Sequence, residues 1–103
     1  TNPDAVEHIR RQYLASSSEG YAACCEAIRD LDQREMIKTI DRPVLVIGGS
    51  EDPATTPAHC RLVADSIPGA AYVELAGAAH LSNIERAEAF NEALDGFLRS
   101  SRR

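Results

Sequence analysis

The chain has 103 residues, 44% of them hydrophobic and 26% charged, with a formal net charge of −5. This is the composition of one small folded domain with a modest core, and it excludes a disordered segment. Basic residues are scattered apart from Arg102-Arg103, and no apolar run approaches the roughly 18 residues of a membrane span, so neither nucleic acid nor membrane is an expected partner.

In chain order, the first third reads as helices. TNPDAVEHIRRQ opens with Pro3 where a first helical turn tolerates it, and Val6, Ile9, Tyr13 and Leu14 recur at helical spacing. The charged N-terminus has no apolar signal core. Its first residue is Thr rather than Met, as expected of a truncated or processed chain. SSSEG at 16–20 interrupts the pattern, and Tyr21 to Leu31 resumes it with Cys24, Cys25 and Ile28 as the apolar stripe. Glu35 to Ile40 reads as a short helical turn, with Met36, Ile37 and Ile40 available to pack. The three cysteines, Cys24, Cys25 and Cys60, are an odd set without metal-ligand spacing. They read as packing residues of a protein kept in a reducing compartment, hence cytoplasmic.

The character changes at Asp41-Arg42-Pro43, because a residue before proline is pushed out of the helical region. Val44 to Ile47 is an apolar run without alternation, as a strand buried on both faces of a parallel sheet requires, and Gly48-Gly49 and Pro53 are expected to stop it. A helix is predicted from about Pro57 to Pro68-Gly69, with Leu62, Val63 and Ile67 on one face. Ala70 to Leu75 is a second strand. After AGAAHLS a long amphipathic helix is predicted, carrying Ile84, Ala87, Phe90, Leu94, Phe97 and Leu98 on one face. Ser82 is expected to cap it, with Glu85 completing a capping box.

Helical leader, strand, helix, strand, helix is the grammar of an α/β fold with a parallel sheet. Two strands alone leave an edge of the apolar run unpaired, which is an association site. The expected domains are a helical segment at 1–40 and a βαβα core at 41–103, incomplete as a stand-alone fold. Sites in open α/β sheets collect in the loops leaving the carboxyl ends of strands. Both such loops here carry a titratable group, Asp52 after the first strand and His80 after the second. A carboxylate on one ring nitrogen of a histidine leaves the other nitrogen free to take a proton from a nucleophile. The bland alternatives are a turn at Asp52-Pro53 and a loop histidine at position 80. Glu51 reads as solvent-facing charge, and as a substitute acid if Asp52 turns outward. His8 and His59 read as surface residues.

The stretches RPVLVIGGSEDPATTP and IPGAAYVELAGAAHLSNIERAEAFNEALDGFL resemble the C-terminal part of an α/β-hydrolase over residues 41–99. Asp52 matches that family's acid position and His80 its histidine position. GYAACCEAIRDLDQRE and GAAHLSNIE are most similar to 3-oxoadipate enol-lactonases, with the leader resembling part of a helical cap. Ala87 departs from a proline common in relatives, which should alter only the start of the last helix. The resemblance implies hydrolysis of an enol-lactone to 3-oxoadipate in aromatic catabolism, a small-molecule lactone or ester as substrate, and no metal or organic cofactor. It also implies a serine in a G-x-S-x-G elbow. Ser16, Ser17, Ser18 and Ser50 precede Asp52, and none lies in that pattern. The nucleophile and oxyanion hole are therefore expected on segments preceding Thr1. The expected partner is that missing half, or a second copy through the open sheet edge. Tyr21, Cys24, Cys25, Ile28, Met36 and Leu81 are either pocket-lining or packing residues, and the spacing selects none of Arg10, Arg11 and Arg29 to meet an anionic product. Two alternatives remain open: another α/β-hydrolase, such as an esterase, C–C hydrolase or haloperoxidase-like member, and a non-catalytic βαβ association module.

Overall fold

The computed structural model describes residues 2–101, which fall into two compact units, one ending at Gln33 and one beginning at Arg34. The first unit holds α1 (Pro3–Ala15) and α2 (Ser18–Arg29). The Asn2 side chain caps α1 by accepting from the Ala5 amide, with Pro3 in the first turn. Ser17 caps α2 by accepting from the Gly20 amide, so the serine run ends one helix and begins the next. Tyr13 and Tyr21 meet edge to face with ring centroids 6.3 Å apart. Cys24 and Cys25 were expected to pack, but both are exposed, as is Ile28. The apolar stripe of α2 thus finds no cover within its own unit.

The second unit begins with a 3-10 turn, Met36–Thr39, and continues through β1 (Leu45–Gly49), α3 (Pro57–Ser66), β2 (Ala71–Leu75), α4 (Ser82–Glu85) and α5 (Ala87–Ser100). The two strands pair in parallel with Leu45 opposite Ala71 and Gly49 opposite Leu75. Both therefore end at one level and release their loops at one rim. Each strand keeps one edge without a strand partner among the described residues, and Val46 and Ile47 stay only half-buried.

The core is small: Ala64, Ile67, Leu75 and Ala78 are its buried apolar residues. On α3 the sheet-facing stripe is Cys60, Ala64 and Ile67, at the i, i+4, i+7 spacing of one helix face, whereas Leu62 and Val63 are 57% and 40% exposed. Of the predicted face, Ile67, which follows the last residue of α3, is buried as expected, whereas Leu62 and Val63 turn outward. Gly48 makes room for that stripe, since a Cβ there would lie 2.7 Å from Cys60 Sγ. Thr56 caps α3, and His59 reaches back to its backbone to complete a capping box, so His59 is a surface residue with a structural task.

Two further expectations are corrected. Gly48 and Gly49 do not stop β1 but form its last two residues. The terminal helix is not continuous from Ser82. A short turn of helix, without a side-chain cap, is separated from α5 at Arg86, whose φ −135° and ψ 58° are not helical. Glu85 turns back to accept from the Ala79 amide at 3.1 Å, and Arg86 Nε donates to the Ala76 carbonyl at 3.3 Å. Both side chains hold the loop after β2 instead of closing a capping box. Ala87 is the first residue of α5, a position where proline is equally at home.

Candidate active site

The rim is assembled from backbone. The Ser50 amide donates to the Leu75 carbonyl at 3.0 Å and the Glu51 amide to the Ala78 carbonyl at 2.9 Å. Ser50 Oγ accepts from the Gly77 amide at 2.9 Å. These bonds fasten the loop leaving β1 to the loop leaving β2, with Ala78 fully buried between them. They require close approach at Gly49, where a Cβ would fall on the carbonyls of Ala78 and Ala79.

Fastened this way, the loops bring Asp52 and His80 together. Asp52 Oδ2 lies 2.9 Å from His80 Nδ1, with the carboxylate side chain 4% exposed and the imidazole 61% exposed. The other carboxylate oxygen, Oδ1, accepts from the Ala54 amide at 2.8 Å and the Thr55 amide at 3.1 Å. Oδ2 also accepts from Thr55 Oγ1 at 2.7 Å. The Asp52 carboxylate thus closes its own turn on one side and meets the imidazole on the other.

Burial is the largest single influence on Asp52 and opposes its ionisation. The hydrogen bonds from the Thr55 hydroxyl, the His80 ring and the Ala54 and Thr55 amides outweigh it, and hold the carboxyl well below the usual carboxylate range. The consequence for stability has a definite sign. Because folding depresses this pKa from its ordinary value of 3.8, the ionised carboxylate stabilises the fold above about pH 4, and that contribution is lost as pH falls through the depressed value. The urea midpoint of the chain is expected to fall more steeply below about pH 4 than that of Asp52→Asn. Parallel profiles for the two proteins would contradict the depressed pKa.

The remaining sequence candidates separate cleanly. Glu51 is exposed and contributes its amide rather than its carboxylate. Cys60 lies beneath Gly48, and burial, then the charges of Asp52 and Glu74, push its thiol pKa up, which disfavours a thiolate nucleophile. Ser50 is engaged in the rim, Ser17 in the α2 cap. Ser16 donates to the Gln12 carbonyl at 2.9 Å. His80 Nε2 has no hydrogen-bond partner within the described residues and sits on an exposed ring. Among the described residues no cluster of three or more His, Cys, Asp or Glu is placed to hold a metal ion, and no helix is long and apolar enough to cross a membrane. Thr55 was not singled out by the sequence. Its only signal there is its place three residues after Asp52, where the turn returns to its first residue.

Known proteins resemble this chain in sequence and in fold. The TAP-like protein family of hydrolases matches residues 6–103. The 3-oxoadipate enol-lactonase 2 of Acinetobacter baylyi is 38% identical over 98 residues, 95% of this chain and 36% of its own length. The crystal structure of the enol-lactonase from Burkholderia xenovorans LB400 superposes with a TM-score of 0.90 at 46% identity, over 94% of this chain and 37% of that one. A thermophilic esterase from Thermogutta terrifontis superposes with a TM-score of 0.93 at 27% identity, over 100% of this chain and 38% of that one. The chain thus spans little more than a third of the length of these relatives. With its parallel βαβα unit, its rim and this coverage by one family, the chain belongs to the α/β-hydrolases.

Proposed function

We propose that this chain supplies the acid and the base of a serine-type α/β-hydrolase acting on an enol-lactone, with the nucleophile carried on a segment that precedes Thr1. The observation that carries the reading is the 2.9 Å contact between Asp52 Oδ2 and His80 Nδ1 at a common rim. The similarity to enol-lactonases over nearly the whole chain supports the choice of substrate.

In this reading His80 Nε2 takes the proton of the serine hydroxyl as its oxygen attacks the lactone carbonyl. Asp52 stabilises the imidazolium that forms. Collapse of the tetrahedral adduct breaks the ring C–O bond, and the proton passes from His80 to the departing enolate oxygen. A water deprotonated by His80 then attacks the acyl-serine, and the serine leaves with the proton to release the enol, which ketonises to 3-oxoadipate. The chain's own part is proton transfer and charge stabilisation, without metal or organic cofactor. The same reading places the protein in the cytoplasm and pairs its open sheet edge with the nucleophile-bearing segment.

Two measurements test it together. The coding region upstream of Thr1 is expected to contain a G-x-S-x-G strand–turn–helix, and the complete protein to hydrolyse 3-oxoadipate enol-lactone in preference to simple aryl esters. A genuine start codon near Thr1, with no such segment upstream, would favour the non-catalytic association module. Faster turnover of simple esters would favour an esterase, the activity of the structurally similar Thermogutta protein.

A further inference from the structure

Thr55 touches both members of the pair. Its hydroxyl lies 2.7 Å from Asp52 Oδ2 and 3.4 Å from His80 Nδ1, and its amide donates to Asp52 Oδ1 at 3.1 Å. The Cys60 thiol sits 3.8 Å from the Thr55 carbonyl, so the residue is tethered to α3 as well as to the turn.

We propose that Thr55 is the positioning residue of the site: by donating its single hydroxyl hydrogen to Asp52 Oδ2, it leaves Nδ1 of His80 as the atom that must supply the hydrogen between the ring and its two oxygen neighbours, and so fixes the tautomer in which Nε2 is the free base. A hydroxyl carries one hydrogen, and an ionised carboxylate carries none. With the Thr55 hydrogen directed at Oδ2, both the 2.9 Å contact from Oδ2 and the 3.4 Å contact from Oγ1 present lone pairs to Nδ1. A ring protonated only at Nε2 would face two acceptors with a third lone pair, which a buried carboxylate makes costly. The Nδ1–H form satisfies both contacts at once. The Thr55 hydroxyl is also the strongest of the influences that keep Asp52 ionised, which preserves the acceptor that the tautomer needs. Pro53 presets the turn that returns Thr55 to Asp52.

This inference rests on the acid–base reading of the pair, but its test needs no substrate. Ring 15N shifts of His80 are to be measured in the 103-residue chain at a pH where the imidazole is neutral, and assigned by difference against His80→Ala. The wild-type chain and Thr55→Ser are expected to show the Nδ1–H tautomer predominating. In Thr55→Val, which keeps size and amide but loses the hydroxyl, the tautomer ratio should fall several-fold. The Asp52 carboxyl, followed by 13C, should then titrate higher. Wild-type spectra in Thr55→Val would overturn the proposal, as would Thr55→Ser behaving like Thr55→Val. If Thr55→Val does not fold, Thr55→Ala takes its place, and a wild-type tautomer ratio in that variant, or an Nε2–H ring in the wild-type chain, overturns the proposal. Failure of the lactone assay would leave these spectra unchanged, so the two readings fail separately.

Discussion

In the complete enzyme proposed above, replacing Asp52 by Asn is expected to lower kcat for lactone hydrolysis by about 10⁴-fold and replacing His80 by Ala by about 10⁶-fold, the scales on which serine triads respond to loss of the acid and of the base. Combining the two should cost little more than the His80 replacement alone, because residues that act as one unit are not additive. The physical reason lies in the rim. Asp52 is nearly inaccessible, with both oxygens engaged, and can influence a substrate only through the ring it holds. His80 is open to solvent and presents its other nitrogen outward. Steady-state kinetics of the three variants check this. Near-normal turnover by either single variant would remove both residues from the chemistry.

The second large effect concerns a residue that touches no substrate. Gly49→Ala is expected to destabilise the chain by roughly 1–3 kcal/mol, the range for forcing a methyl group into a filled space. The added Cβ would meet the Ala78 and Ala79 backbone, and backbone cannot swing aside as a flexible side chain can. Relief requires the loop after β2 to lift from the exit of β1. That breaks the Glu51–Ala78 bond and separates His80 from Asp52. Urea unfolding measures the loss, and the Asp52–His80 contact should weaken in the same variant even where it remains folded. At Gly96 a Cβ meets nothing within 4 Å, so a replacement there controls for the intrinsic effect of adding a methyl group. Equal losses at the two sites would contradict a steric role for Gly49.

Much of this was legible in the sequence, for a local reason. An apolar run ended by glycines, a proline-bounded helix and a second β-rich run set the order of elements. A carboxylate and a histidine just beyond two parallel strands must share a rim. The parts that escaped depend on contacts distant in the chain or on backbone conformation. Ser82 and Glu85 have the spacing of a capping box, yet Glu85 accepts from the Ala79 amide, and nothing local distinguishes that donor from the cap amide. The break at Arg86 follows from that loop's demand for partners, which helical periodicity does not register. Leu62 and Val63 looked like the inner face of α3 because they are the larger side chains. The close approach at Gly48 instead admits the smaller Cys60, and Ala64 is buried in line with it, while Ile67 is buried as expected. Thr55 was invisible because its importance lies in where its hydroxyl points after the turn closes.

The most direct measurement is the titration of the Asp52 carboxyl carbon by 13C NMR in the wild-type chain and in His80→Ala. The expected result is a wild-type carboxyl that stays ionised well below the ordinary carboxylate range and moves upward when the imidazole is removed. A wild-type carboxyl that titrates as an ordinary surface aspartate, indifferent to the residue at position 80, would contradict the pairing on which the proposed chemistry depends.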